Sequence, residues 1–424
     1  MASIFELSEF EEHAGAWLSR TKVLERRRSY YDGSVYKQAF AGLGPLSAYM
    51  QSKTRPLYLP MHRAVDVDAG IIPGGWEWPE PGDGITEAQI AGWNVARRKV
   101  FDWSRWNVEG VLYVHYGAEC GLSVLRVSDI RDAGIIQLSP IDPAKVLLIE
   151  SGQYDTTWAT AFYVDKRVRK GNVGEYAEVI TPEAVRTFWD GEPVGVEGRE
   201  SEYVNELGFV PFVEVEHKTT GRKYGECTYQ ATMPMLDEVN EIATDLAKNI
   251  KQHGDPQWVI TGAEASDMVH SGDNIWFIPK EGKAEPLVAK IDIKGALDFV
   301  AEIAQNMKSS LPELAFDELM SKNQIATATV ELQLMELVLK IKRVRPNYDQ
   351  GIVDALKLCG MAAAQMGLPD IAVLDDDMLT LNDERPVLPQ DRLDQIRVEE
   401  AEISLNMQRS MSNGDGFMGD QVEV

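Results

Sequence analysis

The feature that most constrains this chain is a pair of helical patterns held apart by β-type sequence. From Ala231 to His253, Leu236, Val239, Ala243, Leu246 and Ile250 recur at intervals of three and four, which places them on one helical face. Asp237, Glu238 and Glu241 come early and Lys248, Lys251 and His253 late, so each set complements the dipole at its own end. Gly254 stops the pattern and Asp255-Pro256 prevents its resumption. The strings QWVITG, NIWFIP and EPLVAKID then read as short strands. A second helical face follows in Leu297, Val300, Ala304, Met307 and Leu311, with Asp292 as its N-cap and Pro312 at its far end. Helix pairs in bundles are joined by ~2 to 8 residues, so the longer insertion here predicts a projecting hairpin that carries a small β lobe.

The flanking sequence predicts an α+β body. Phe10, Ala14, Trp17, Leu18, Leu24 and Tyr30 mark a helix over residues 7–31 that ends at Asp32-Gly33. Residues 42–84 are richer in Gly and Pro, with GGWEWPEPGDG as loop. A helix is expected over residues 87–103, then strands at GVLYVHYG, CGLSVLRV, AKVLLIE, ATAFYVD and YAEVIT, closing near residue 217. The longest helical pattern begins near Thr327 and carries Val330, Leu334, Leu337, Ile341, Val344 and Tyr348. Pro346 is expected to kink it or divide it from residues 350–366. An acidic stretch, a helix over residues 391–407 and a low-complexity tail complete the chain.

Composition narrows the function. At 424 residues, 44% hydrophobic and 26% charged, the chain has ordinary globular values and room for a large core. No apolar run approaches the ~20 residues that cross a bilayer, and the opening MASIFELSEFEEH has neither a basic n-region nor an h-region, so a soluble, unsecreted protein is expected, with no membrane partner. Cys120, Cys227 and Cys359 are too scattered for a disulfide framework or a zinc pair. A net charge of −25 argues against gripping nucleic acid through an overall basic surface.

Three common catalytic motifs are missing: there is no phosphate-binding loop, no Gly-x-Ser-x-Gly elbow and no His-Glu-x-x-His pair. Neither a cofactor nor a metal is therefore expected, and catalytic residues are assigned to none. Asp375, Asp376 and Asp377 are consecutive, so they cannot all face one ion on a regular element, and a solvated acidic loop is the expectation. Trp76 and Trp78 beside Glu77 and Glu80 offer a sugar platform with paired carboxylates, against which stands simple packing of a Gly/Pro-rich loop. A carbohydrate-active or metal-dependent hydrolase is thus the alternative reading, and a ring scaffold unrelated to DNA a third.

Several strings, taken in order over roughly residues 10–412, resemble the portal protein family of tailed phages. RRRSYYDG (26–33) is similar to that family's early helix ending in Tyr-x-x-Gly, LSPIDPAKVLLIE (138–150) to its Asp-Pro before a strand, and LGFVPFVEVEH (207–217) to the segment leading into its stem. GECTYQATMPMLDEVNEI (225–242) resembles the entry to the first stem helix, Asn240 included, and LPQDRLDQIRVEEAEISLNMQRSMS (388–412) the late Pro-x-Asp helix. Cys227 stands where serine is common, and NQIATATVELQL lacks the usual Ser-Gly-x-Ala-Leu.

The resemblance implies a portal-type fold: wing at 1–230, first stem helix at 231–253, clip at 254–291, second stem helix at 292–311, tunnel loop at 312–326, then long wing helix, crown and tail at 327–424. It implies a non-enzymatic ring, usually of twelve copies, at one vertex of a virion assembled in the host cytoplasm. Double-stranded DNA would pass through it during packaging and ejection. A large terminase, a head-completion adaptor, and the major capsid and scaffolding proteins would be its partners. Channel candidates are then Lys248, Lys251 and Lys308, with Lys322, Asn323 and Gln324 in the tunnel loop; each lysine otherwise reads as a solvated helix face, and the loop as an ordinary connection. Trp258, Trp276 and Phe277 become clip residues for docking or subunit contact, with packing inside the clip as an equal account. An acidic channel wall would repel phosphate and let DNA slide.

Overall fold

The computed structural model describes residues 4–39, 58–74, 76, 78, 81, 84–150, 158–169, 171–196, 198–221, 223–254, 257–261, 269–270, 276–277, 283–287, 293–314, 334–382 and 387. The mixture of helix and sheet is α+β. Alternating sequence builds two antiparallel sheets in the body. Strand β1 (Leu122–Ile130) lies between β2 (Ile135–Ile141) and β9 (Phe212–Glu216), with Val127 opposite Leu138 and Leu125 opposite Val213. A six-stranded sheet runs β3 (Val146–Glu150), β4 (Trp158–Arg169), β5 (Asn172–Ile180), β6 (Ala184–Trp189) and β7 (Glu192–Pro193), with β8 (Glu202–Val204) also on β6.

The period of two along each strand sorts side chains into layers. Val124, Val146, Ala161, Tyr163, Ile180 and Phe212 meet between the sheets. Phe162, Val164, Ala177, Val179 and Phe188 point the other way and are covered by Phe10, Ala14 and Trp17 of α1 (Ile4–Tyr31). On the far side of the three-stranded sheet, Leu125, Val127, Ile136 and Leu138 pack under α4 (Glu87–Trp103), α5 (Trp106–Cys120) and α8 (Met335–Met366). The order of layers is therefore α1, six-stranded sheet, three-stranded sheet, helices. Helix α4 begins at a capping box in which Thr86 and Gln89 exchange side-chain and backbone hydrogen bonds.

Three expectations are corrected. GVLYVHYG is not a strand but lies within α5: Trp106, Gly110, Tyr113, Val114, Gly117 and Ala118 form its buried face. The β-branched and aromatic run is overridden by packing, and glycine at 117 is required because a Cβ there would collide with the Tyr348 hydroxyl of α8. The Gly/Pro-rich region contains helix α3 (Met61–Ile71), entered at Pro60, with Met61, Ala64, Val65 and Asp68 buried. Finally, of the two outcomes expected at Pro346, a kink or a division, the division does not occur: α8 is continuous from Met335 to Met366. Proline removes one ladder bond, and the unbroken buried face of Leu337, Ile341, Val344, Tyr348, Ile352 and Leu356 outweighs that loss.

The hairpin is built from α6 (Met233–Gly254) and α7 (Ile293–Ser310), which pack on one another. Strand β10 (Gln257–Thr261) continues α6 and pairs antiparallel with β13 (Lys283–Leu287), which precedes α7; Gln257 is opposite Leu287. Inside that ladder lies another, β11 (Val269–His270) with β12 (Trp276–Phe277). At the opposite end, Met233, Leu236 and Val239 share a core with Met307 and Leu311. The helices are thus antiparallel, joined to the body at one end and carrying nested strand pairs at the other.

Candidate functional site: the hairpin and its junction with the body

The junction gathers residues from strings far apart in sequence. Helix α2 (Ser34–Ala39) follows α1, and Tyr30 and Tyr36 both donate to the Asp237 carboxylate on α6, at 2.8 and 3.0 Å. Burial and the Asp237 charge raise both phenols above their ordinary value. One turn further along α6, buried Asn240 accepts from the Tyr58 backbone N–H at 3.3 Å and donates to the Leu236 carbonyl at 2.9 Å. Arg27 closes the loop before α6 by donating to the carbonyls of Cys120, Tyr224 and Gly225 at 2.6, 2.8 and 2.8 Å. The Tyr229 hydroxyl lies 3.0 and 2.9 Å from the Arg27 and Glu119 carbonyl oxygens, which share its one proton, and Arg28 pairs with Asp142 at 2.8 Å and Glu119 at 3.3 Å. The Cys120 and Glu119 carbonyls belong to the last turn of α5, which the helix itself leaves unpaired, and are met by the Arg27 guanidinium and the Tyr229 hydroxyl.

Beneath this lies a buried chain of polar groups. His217 follows β9, Thr228 precedes α6, Asp68 is on α3, and Tyr348 and Lys340 are on α8. Tyr348 Oη is 2.9 Å from His217 Nδ1, Thr228 Oγ1 is 3.0 Å from His217 Nε2, and Thr228 donates to Asp68 Oδ2 at 2.5 Å. Burial, partly offset by Asp68, pushes His217 down to about 4, so its ring is neutral at pH 7. Because the Thr228 proton points to Asp68, Nε2 carries the histidine proton and Nδ1 accepts from Tyr348; the tautomer follows from the network.

Charge enters the same cluster through Lys340, which bonds the Glu313 carboxylate and lies 3.4 Å from Asp68 Oδ2. Glu313 stands just beyond α7, so this contact ties the foot of the hairpin to α8. Asp68 and Glu313 are both fully buried, and Asp68 Oδ1 and Glu313 Oε2 have no hydrogen-bond partner among the described residues. Burial opposes the charge on Lys340, yet Asp68 and Glu313 together raise its pKa. Glu313 is nonetheless pushed up to about 7, by burial and then by the Asp68 charge. These directions are consistent: two carboxylates hold one cation firmly, while the second carboxylate lacks a cation of its own.

The residues singled out from sequence lie elsewhere. Lys248 and Lys251 sit on the last turns of α6, Trp258 on β10, and Trp276 and Phe277 on β12. Lys308 is half-buried near the end of α7. Lys322, Asn323 and Gln324 lie outside the described residues, as do Glu77, Glu80, Asp292 and the helix expected over 391–407. Trp76 donates to Asp349 at 2.9 Å and packs on Phe101 and Trp106, while buried Trp78 donates to Asn94 at 2.7 Å. Both rings belong to the core, as the packing account expects. Asp376 accepts from Gln89 and from the Met378 N–H, within an acidic loop whose Asp375 and Asp377 are exposed. Among the described residues, no helix is long and apolar enough to cross a membrane.

Sequence reasoning passed over Asp68, His217, Glu313 and Lys340. A signal existed for two of them: Lys340 falls on the apolar stripe of Leu337, Ile341 and Val344, and Asp68 on that of Ala64, Val65 and Ile72. A charge within a buried stripe demands a buried counter-charge.

No family model matches the chain, and no curated protein does. Among solved structures, it is similar to a chain of the virion of a native gene transfer agent particle, with 12% identity, a TM-score of 0.40, and 88% of this chain and 90% of that one covered. A chain from the neck of the native particle, computed with C12 symmetry, gives 12% identity, a TM-score of 0.38, and coverage of 73% and 78%. One from the neck of the empty particle, computed with C6 symmetry, gives 10%, 0.42, and 92% and 90%. TM-scores below 0.5 identify neither a family nor a role.

Proposed function

We propose that this chain is the subunit of a portal-type ring at one capsid vertex, the channel for DNA packaging and ejection and the platform for terminase and the head-to-tail joint. The observation that carries the reading is the hairpin: antiparallel α6 and α7 bear nested strand pairs at one end and are anchored at the other. A ring needs such an element to stand beside its copies. Leu297 and Phe299 on α7 are half exposed, apolar area that neighbouring stems would cover. The strings that resemble the portal family also converge on the anchor, since Tyr30, Asp142, Tyr229 and Asn240 all take part in it. In this reading the ring performs no hydrolysis, and ATP is consumed by the terminase.

The test is mass photometry of the purified chain with negative-stain images viewed down the particle axis. The expected result is a particle of several hundred kilodaltons, about twelve subunits, with a central hole wide enough for duplex. A stable monomer overturns the proposal, and a ring closed at its centre favours a scaffold unrelated to DNA. Deleting residues 257–290 is expected to leave the body folded and to abolish terminase docking; loss of all folding would show that the segment is no separate lobe.

A further inference from the structure

The cluster at the foot of the hairpin holds two buried carboxylates and one ammonium. Asp68 and Glu313 both reach Lys340, so with both acids ionised one negative charge is left uncompensated. Asp68 Oδ1 and Glu313 Oε2 are shut off from solvent and have no hydrogen-bond partner among the described residues. A buried carboxylate oxygen without a donor is costly, and one proton on either acid removes the surplus charge. The surroundings decide which acid takes it. Asp68 is anchored within α3 and accepts from Thr228 at 2.5 Å in addition to its contact with Lys340, donors that favour its charged form, so the proton falls to Glu313.

Glu313 is also the acid that is free to move. It lies beyond Pro312, past the last turn of α7, in a short turn closed by the Leu314 N–H on the Leu311 carbonyl at 3.0 Å, so it can leave without breaking the α7 ladder. Lys340 is partly exposed, and solvent therefore reaches the rim of the cluster. The foot of α6 is fastened by different chemistry. Tyr30 and Tyr36 hold Asp237 there, and both phenols are raised above their ordinary value, so they keep their protons throughout the neutral range. The two legs of the hairpin thus answer differently to pH.

We propose that Glu313, Asp68 and Lys340 form a proton-operated latch: a proton on Glu313 locks the foot of α7 against α3 and α8, and loss of that proton to solvent releases this foot while the foot of α6 stays fixed. The driving force is the repulsion between two buried carboxylates that share one cation. The groups around Glu313 are Asp68 from α3, Lys340 from α8 and, 3.6 Å beyond Asp68, His217 after β9. Leu236 of α6 and Met307 and Leu311 of α7 supply apolar surroundings, and the nearby Cys227 thiol and Tyr348 phenol are raised by burial and stay uncharged. His217, lowered to about 4, is neutral above pH 5.5. Burial and the Asp68 charge raise Glu313 from 4.5 to about 7, so the hold on α7 is complete below 4.5 and is lost as pH climbs to 7. The latch belongs to a single subunit and goes beyond the ring reading without resting on it.

Hydrogen exchange of the full chain tests it, read as protection factors so that the intrinsic pH dependence of exchange is removed. Between pH 5.5 and 7.5 the protection of residues 305–314 is expected to fall about twentyfold, the ratio that follows from 4.5 for the open form and about 7 for the closed one. Residues 352–363 in the core of α8 are not expected to follow. Glu313→Gln mimics the protonated acid and should hold the pH 5.5 value throughout. Asp68→Asn leaves Glu313 with Lys340 to itself and should shrink the fall, which keeps the test open if the glutamine variant does not fold. Wild-type protection that is flat across the range, a fall that persists in Glu313→Gln or is undiminished in Asp68→Asn, or a fall shared in full by residues 352–363 overturns the latch.

Discussion

The body core and the hairpin junction are adjacent and are held together differently. Between the three-stranded sheet and α4, α5 and α8, contact is almost wholly apolar: Leu125, Val127, Ile136, Leu337, Ile341, Ile352 and Leu356 fill it. At the junction, Leu236, Val239, Met307 and Leu311 share the interior with Asp68, His217, Glu313 and Lys340. Apolar packing is tolerant, because side chains of similar volume can be exchanged at modest cost. A hydrogen-bonded chain that runs Tyr348, His217, Thr228, Asp68 and Lys340 accepts one arrangement, because any shift leaves a buried charge unpaired. The difference teaches where stability is generated and where position is specified. The body holds the fold, and the junction sets the angle at which the hairpin leaves it.

The contrast is open to attack, most strongly at Lys340. Lys340→Met strands two buried carboxylates, so urea unfolding at pH 7.5 is expected to show a loss of ~3–5 kcal/mol. Adding Glu313→Leu and Asp68→Leu is expected to recover most of that loss, because an apolar replacement of a buried charged cluster is often neutral. A single variant within ~0.5 kcal/mol of wild type would mean that the cluster is solvated and that the comparison fails. In the body, Leu356→Ala is expected to cost ~2–5 kcal/mol through the cavity it leaves, with no change in the geometry of the hairpin by electron microscopy. A tilted hairpin in that variant would show that position is not governed by the junction alone.

The next effect depends on pH. Glu313 is raised from 4.5 to about 7, so unfolding releases a proton between those values and its contribution falls as pH rises. His217 is lowered from 6.5 to about 4, so unfolding takes up a proton there and its contribution rises with pH. The two slopes oppose each other between about 4.5 and 6.5. Glu313→Gln removes the falling one, so the stability of the variant relative to wild type should climb by about 1.4 kcal/mol per pH unit across that window. Parallel curves would show that Glu313 titrates as it does in the unfolded chain. The smallest expected effect is Tyr36→Phe, which removes one of two phenol donors to Asp237 and should cost ~1 kcal/mol in urea unfolding. A loss of several kcal/mol would make Asp237, rather than Lys340, the centre of the junction.

Legibility followed the strength of local pattern. The helical faces of α6 and α7 were readable where they meet the body, because Leu236, Val239, Met307 and Leu311 recur at helical spacing and are buried there, whereas Leu297 on the same expected face of α7 is half exposed. Helix α5 was not, because Val111, Tyr113, Val114 and Tyr116 have strand-like propensity, and only Tyr348 approaching Gly117 shows what the glycine is for. Helix α3 hid among Gly and Pro, and Pro346 suggested a break that a buried face of this length overrides. The junction network was illegible as a set. Its members lie at positions 68, 217, 228, 313, 340 and 348, and no local rule links residues so widely spaced.

By itself, then, the sequence determined what short-range physics can encode: an α+β chain, two amphipathic helices bounded by Gly254 and Pro312, and β-type strings between them, whose pairing as nested ladders only the structure shows. Only the tertiary structure decided which charges are buried together, because Asp68 and Lys340 reveal themselves as partners only when α3 and α8 are brought side by side. Periodicity is a property of neighbours along the chain, whereas the cost of burying a charge is settled by neighbours in space.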